Sequence, residues 1–228
     1  MPPAARVAIY YAPLPNDPLT PLSSTWLGRD PASNAPVGQP PIEGIQEVTA
    51  DPRLYGFHAT LKPPMRLKPG IEWSAFVAAT HRMASGIAPF ELPDLEVADV
   101  HGFLALRETT PCPPLQTLSD ICVEQLDAFR APPPPDELAR RRKASLSAEQ
   151  DAMLLRWGYP YVFGTWFFHM TLTRRLTPPE KAMFMPAAQD WFAPALSARR
   201  VVRNICLFTQ AAPGAAFTLA ERVPLRGG

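Results

Sequence analysis

Residues 6–12 form an unbroken run of apolar and aromatic side chains after Arg6, and this predicts a strand near the start of the chain. Val7, Ile9 and Tyr11 share one face, and Ala8 and Tyr10 share the other. Leu19–Leu27 reads as a short helix closed by Gly28, and a loop rich in Pro, Gly and Asn follows to about Pro41. Residues 57–61 form a short apolar run of strand type. Trp73, Phe76, Val77 and Thr80 recur at helical spacing, which predicts a helix over Trp73–Ser85 with Gly86 just past its end. Residues 90–97 and 102–107 read as two strands with a turn around Asp99. Leu115, Leu118, Ile121, Cys122, Leu126 and Phe129 predict an amphipathic helix over 115–129. Four consecutive prolines, 132–135, break the chain before a helical stretch over 137–156. A second strand begins near His169. Thr177 and Glu180 have the spacing of a capping box and start another helix. Residues 199–210 and 216–223 close the chain as two strands.

Two of these strands begin with the same four-residue pattern. His58-Ala59-Thr60-Leu61 and His169-Met170-Thr171-Leu172 are both H-x-T-L, and the chain has only four histidines. At average residue usage a given His is followed by that Thr and Leu roughly once in 200 times. The copies lie about half a chain apart, and each is followed by a proline-containing loop, a helix and a strand pair. The pattern reads as a duplicated unit. On a strand, residues i and i+2 project together, so each copy offers one imidazole and one hydroxyl on one face. A pseudo-twofold arrangement would gather the four side chains around one cleft.

Charge narrows the partners. The 22 basic and 21 acidic residues nearly balance, so no global basic field points to nucleic acid. The 46% hydrophobic content fits a packed core, and the 30 prolines mark extended loops such as Pro2-Pro3. Cys112, Cys122 and Cys206 are odd in number and lack C-x-x-C spacing, so reduced thiols and a cytoplasmic location are expected. The start of the chain lacks the composition of a signal peptide, and no apolar run is long enough to cross a membrane. The histidines are scattered, with neither H-x-H nor H-E-x-x-H, so no metal site and no cofactor are expected. There is no glycine-rich phosphate loop.

The paired motifs, with the strings at residues 6–13, 26–30, 55–64 and 169–173, resemble the 2H phosphoesterase superfamily. That group includes 2′,3′-cyclic nucleotide phosphodiesterases and RNA 2′,5′ ligase-like proteins. The longer strings are similar to a branch assigned to phosphonate metabolism and encoded beside carbon–phosphorus lyase genes. The resemblance implies an α+β fold of two pseudo-symmetric lobes, each an antiparallel sheet with outer helices, around a central cleft. We expect one bilobal domain over 1–228, with lobes near 1–110 and 150–228 and a helical insert near 113–157. The resemblance also implies metal-independent hydrolysis of a cyclic phosphodiester. Relatives carry a basic residue shortly before the second His, where this chain has Trp166, Phe167 and Phe168, so Arg174 or Arg175 would have to take its place.

The chemistry fits the residues. Opening a cyclic phosphate needs a base for water, an acid for the leaving oxygen and donors for the phosphoryl oxygens. His58 and His169 suit the first two tasks, and Thr60 and Thr171 suit the third. Lys62, four residues past His58, reads either as a phosphate contact or as a solvated rim residue. Tyr10 either lines the cleft or packs, and Tyr161 either stacks on a base or sugar or packs. Arg29 either binds phosphate or caps a helix end. His81 on a helix, His101 in a turn and the basic run Arg140 to Lys143 read as structural or solvated. Three functions stay open: a phosphodiesterase for a small cyclic phosphate such as a ribose or nucleoside cyclic phosphate, an RNA-end enzyme, and a non-catalytic phosphate-binding protein. The balanced charge favours a small phosphorylated substrate over RNA, and the intact motif pair favours catalysis. The oligomeric state is not legible.

Overall fold

The first strand is buried on both faces because it lies inside a sheet. The structure, a computed structural model, describes residues 5–227. Pro2-Pro3 lies outside them. Strand β1 (Arg6–Tyr11) sits between β2 (Ala59–Met65) and β8 (Asn204–Gln210), with β9 (Phe217–Pro224) beyond, all antiparallel in the order β2-β1-β8-β9. Val7, Ile9 and Tyr11 enter the main core, while Ala8 and Tyr10 pack with Cys206, Phe208 and Phe217 on the other face. A second antiparallel sheet has the order β4 (Leu95–Val100), β5 (Phe103–Glu108), β6 (Met170–Arg175). The short strands β3 (Phe90–Leu92) and β7 (Arg200–Val202) pair with each other.

Helix α1 (Leu19–Leu27) ends on Gly28, whose φ of 78° is the left-handed cap position that glycine occupies without steric cost. Two short helices, α2 (Ile45–Val48) and α3 (Ala50–Tyr55), follow where no element was expected. They are too short to show a helical period. Helix α4 (Trp73–Ser85) follows β2, and α8 (Pro178–Leu196) follows β6. The Thr177–Glu180 capping box is present at the start of α8. Fully buried Trp26, Phe76, Phe184 and Phe192 fill the main core; burying one such side chain stabilises by about 1.5–3 kcal/mol.

The two halves repeat one order: motif strand, helix, short strand, hairpin. Their sheets are nevertheless exchanged. The hairpin β4–β5 from the first half pairs with motif strand β6, and the hairpin β8–β9 from the second half joins β1 and motif strand β2. The lobes therefore do not follow the expected boundaries of 1–110 and 150–228. Each half completes its sheet with the other's hairpin, and β3 pairs with β7 at the crossing. Between β5 and β6 lie α5 (Pro113–Gln125), α6 (Pro135–Arg142) and α7 (Ala148–Trp157). The helix expected over 137–156 is broken because Ser147 caps α7 with its own capping box.

One irregularity moves a candidate residue. Along β1 and β2, Tyr11 faces Ala59 and Tyr10 faces Thr60, but Ile9 faces Lys62. Between Thr60 and Lys62, β2 carries one residue more than β1, which is a bulge that breaks the period of two. Lys62 thus leaves the face of Thr60 and is only 2% exposed. Its ammonium donates to the Val123 carbonyl at 3.0 Å and pairs with Asp127 at 3.4 Å. Val123 lies in the last turn of α5, where carbonyls lack helical partners. Lys62 therefore caps a helix and is neither a phosphate contact nor a rim residue. Lys62→Met should lower stability by about 1–3 kcal/mol, the cost of a buried polar group left unpaired, while turnover per folded molecule stays unchanged. Urea unfolding and an activity assay on the same sample check both parts.

Candidate active site

Each motif histidine sits immediately before its strand, and each is held the same way. His58 Nδ1 lies 2.9 Å from the Gly56 carbonyl, and His169 Nδ1 lies 3.2 Å from the Phe167 carbonyl. A carbonyl only accepts, so Nδ1 carries the hydrogen in both rings and Nε2 presents its lone pair. The His58 Nε2 lies 3.2 Å from the Thr60 hydroxyl, which donates to it. Gly56 makes the first clamp possible. Its φ of 73° and ψ of 174° suit glycine, and a Cβ there would lie 2.9 Å from Pro31.

The two motif strands are edge strands of different sheets, and they meet across the molecule. The Trp166 indole donates to the Thr60 carbonyl at 2.8 Å. The Trp26 indole, on α1, donates to the Leu172 carbonyl at 3.1 Å. Beside them opens a cavity of about 640 Å³. Thr60, His169, Phe167 and Trp166 line it from the motifs, and His101, Phe103 and Arg175 line it from the second sheet. The insert supplies a further wall: Ser147, Glu149 and Gln150 at the start of α7, then Tyr159 and Tyr161.

The expected residues divide accordingly. Thr60, His169 and Tyr161 share the cavity, and His58 stands directly behind Thr60, 8% exposed. Thr171 is half-buried outside the lining, near the Tyr55 hydroxyl. Tyr10 does not line the cavity. Its ring is 2% exposed and stacks on His58 with centroids 3.5 Å apart and planes at 18°. Arg29 is no phosphate contact either. It is 7% exposed and donates to Arg53 O, Leu54 O, Phe217 O and Asn34 Oδ1, so it ties the end of α3 to β9. The helix end it satisfies is that of α3, not that of α1, which it follows in sequence. Of the two arginines after the second motif, Arg174 pairs with Glu180 and Arg175 reaches the cavity.

Several neighbours were missed. Tyr55 meets the His58 ring edge-on at 5.6 Å and lies near Thr171 of the second motif. His101 occupies the expected turn but faces the cavity, and its φ of 51° is left-handed. Tyr159 stands against Tyr161 at 5.6 Å. The basic run is partly tied down: Arg141 pairs with Glu137 and covers the Tyr159 ring, and Arg142 pairs with Asp151. No signal of period or spacing marks Tyr55 or Tyr159. Only their nearness to the motifs does.

Burial favours neutral imidazoles. The His58 pKa falls to about 3, chiefly by desolvation and in smaller part by the charge of His169, against a raising contribution from the Gly56 bond. His169 is also lowered, first by desolvation and then by Arg107 and His101. Tyr10 is pushed up by burial and stays neutral.

A protein-family model matches residues 60–218, beginning two residues past His58. The chain belongs to that family, described as protein of unknown function (DUF1045). Two curated relatives of this family member are both called ribose 1,5-bisphosphate phosphokinase PhnN. The protein from Janthinobacterium sp. (strain Marseille) is 37% identical over 97% of this chain, and that from Laribacter hongkongensis (strain HLHK9) is 35% identical over 96%. The chain spans about half the length of these relatives, 51% of each. Similar solved structures include TT0787 of Thermus thermophilus, with TM-score 0.47, 17% identity and coverage of 97% and 98% of the two chains. Escherichia coli LigT complexed with NADP+ has TM-score 0.45, 13% identity and the same coverage. A third, described as a phosphoesterase, has TM-score 0.43, 14% identity and coverage of 96% and 98%. No helix among the described residues is long and apolar enough to cross a membrane, and the three cysteines are free.

The depressed His58 pKa links stability to pH. The unfolded chain takes a proton near pH 6.5 that the folded His58 refuses until about pH 3. Its contribution is therefore complete above pH 6.5 and is lost as pH falls from there toward 3. Urea titrations between pH 7 and 4 should show stability declining, and the decline should be shallower in His58→Gln.

Proposed function

We propose that this chain is a metal-independent phosphodiesterase that opens a small cyclic phosphate by acid/base catalysis between two histidines. The observation that carries the reading is the matched clamp. Both imidazoles are oriented by a backbone carbonyl two residues earlier, so both Nε2 atoms carry the lone pair, that of His58 turned to the Thr60 hydroxyl. Duplicated orientation of this kind is what two-sided proton transfer needs.

The steps balance as simple hydrolysis. His169 Nε2 takes a proton from water as its oxygen forms a bond to phosphorus. The bond from phosphorus to one ring ester oxygen breaks, and His58 Nε2 gives that oxygen its proton. The product is a phosphomonoester and a free hydroxyl, and solvent returns the histidines to their starting states. His58 must be protonated at Nε2 before this step. Once it is, Nε2 no longer accepts from Thr60, and the Thr60 hydroxyl is free to donate to a phosphoryl oxygen. Arg175, exposed in the cavity, supplies positive charge toward the same group. Thr171 serves the opposite side.

A ribose cyclic phosphate suits the relatives' name, since a ribose bisphosphate phosphokinase handles the same kind of sugar phosphate. The kinase chemistry does not transfer: this sequence holds no glycine-rich loop of the type that cradles a nucleotide's phosphates. The matched half of those longer proteins would thus carry a separate reaction on a sugar phosphate.

Turnover on a panel of ribose, nucleoside and glycerol cyclic phosphates, with an RNA 2′,3′-cyclic end included, tests this reading. His58→Ala and His169→Ala should each lower kcat by about 10² to 10⁴, the usual contribution of a positioned acid or base. Thr60→Ala should cost less, about 1.5–3 kcal/mol in transition-state binding, the value of a hydrogen bond to a charged group. Wild-type turnover in a folded double-histidine variant would rule the mechanism out. Activity should also survive exhaustive chelation; loss with EDTA and return with a divalent ion would move the assignment to a metal-dependent enzyme.

A further inference from the structure

The pseudo-twofold relation between the motifs breaks at one position. In the first sheet, Tyr10 faces Thr60 and Tyr11 faces Ala59, so continuing the ladder sets Ala12 across from His58. In the second sheet, Ala105 faces Thr171 and Leu106 faces Met170, and the same continuation sets Arg107 across from His169. Directly opposed residues of an antiparallel pair hold their Cβ atoms about 4.5–5.5 Å apart on one face. One histidine therefore has a methyl group for its cross-strand neighbour, and the other has a guanidinium.

The Arg107 side chain is arranged as a fixed charge beside that ring. Its guanidinium lies 5.9 Å from the centre of the Phe167 ring, and Phe167 in turn stacks on His169 at 4.7 Å and 29°. The arginine Nε is buried with no hydrogen-bond partner. Glu96 faces Arg107 from β4, yet among the described residues no ion pair joins them. Arg107 does not line the cavity, so it is not offered as a substrate contact.

We propose that Arg107 is a positioning residue that holds His169 in its neutral, proton-accepting form, the state a base requires. The inference rests on the two-histidine reading above. The surroundings of the two rings differ in the charges they hold. His169 is faced by Arg107 from β5, by His101 from the β4–β5 turn and by Arg175 from its own strand, while Glu149 of α7 is the one carboxylate among the described residues lining the cavity. Tyr159, whose phenol pKa is raised by burial, completes that wall with Tyr161 beside it. His58 has Tyr10 flat against it and Tyr55 edge-on, and among the described residues the charge that acts on it is that of His169.

The test reads the imidazoles directly. Titrate the ring nitrogens of ligand-free wild type, Arg107→Gln and Arg107→Lys by NMR, and record the pH profile of kcat/KM for each. Loss of the charge should raise the His169 midpoint by roughly half a unit or more and leave His58 in place, and Arg107→Lys should restore the wild-type value. The acid limb of kcat/KM should move up with His169. An unchanged His169 midpoint in folded Arg107→Gln, or an equal rise in Arg107→Lys, overturns the proposal. Should Arg107→Gln fail to fold, Arg107→Met keeps the apolar stem over Phe167 and carries the same expectation. Absence of turnover on every cyclic phosphate would defeat the proposed function while the NMR titration still decides what Arg107 does to His169.

Discussion

Two edge strands carry the motifs, and an edge strand exposes carbonyls that its own sheet cannot pair. The molecule satisfies one on each with an indole from the opposite half: Trp166 on the Thr60 carbonyl, and Trp26 on the Leu172 carbonyl. These bonds are the constraint on which the rest depends. Motif strands buried in the middle of their sheets could not face each other, and unpaired edges would invite water between them. The crossed indoles hold the strands close enough for His169 to act on the proton equilibrium of His58. They also place Trp166 in the cavity wall, so one side chain both seals the seam and shapes the site.

The exchange of hairpins serves the same end. Because β4–β5 pairs with the second motif and β8–β9 joins the sheet of the first, neither half can close without the other. A site built across two sheets is thereby fixed by backbone pairing rather than by side-chain packing alone. Within that frame the symmetry is only approximate, and the departures are chemical. The aromatic ring of Tyr10 lies over His58 where the other half has Ala105 and Arg107. A twofold scaffold thus carries two different proton-transfer environments.

Much of this was legible in the sequence because local rules were obeyed. Gly28 ended α1, Thr177 and Glu180 opened α8, and the apolar run with Val7, Ile9 and Tyr11 on one face placed β1. The repeated H-x-T-L pattern located both histidines. What failed had a physical cause in each case. Lys62 was displaced by a bulge, which leaves no mark in a pattern of period two. Arg29 was taken up by three carbonyls and an amide oxygen from three separate segments, a demand that exists only after folding. The lobe boundaries misled because duplication in sequence does not say which sheet a hairpin joins. Tyr55, His101 and Arg107 lie near the motifs in sequence or across a strand, and only the register shows which of them face a histidine.

Burial of the histidines has a consequence for how the site would select its substrate. In the free protein both rings are neutral, since desolvation penalises the imidazolium more than the flanking carbonyls favour it. An acid is therefore absent until negative charge arrives. A phosphodiester anion placed between the rings lowers the cost of one proton there, and that proton converts the Thr60 hydroxyl from a donor to His58 into a donor to phosphate. A neutral ligand of the same shape would bring no such charge and would leave both rings as acceptors. On the proposed reading, selectivity for an anion would lie in the proton balance of two buried imidazoles as well as in Arg175, which shares the cavity with His169.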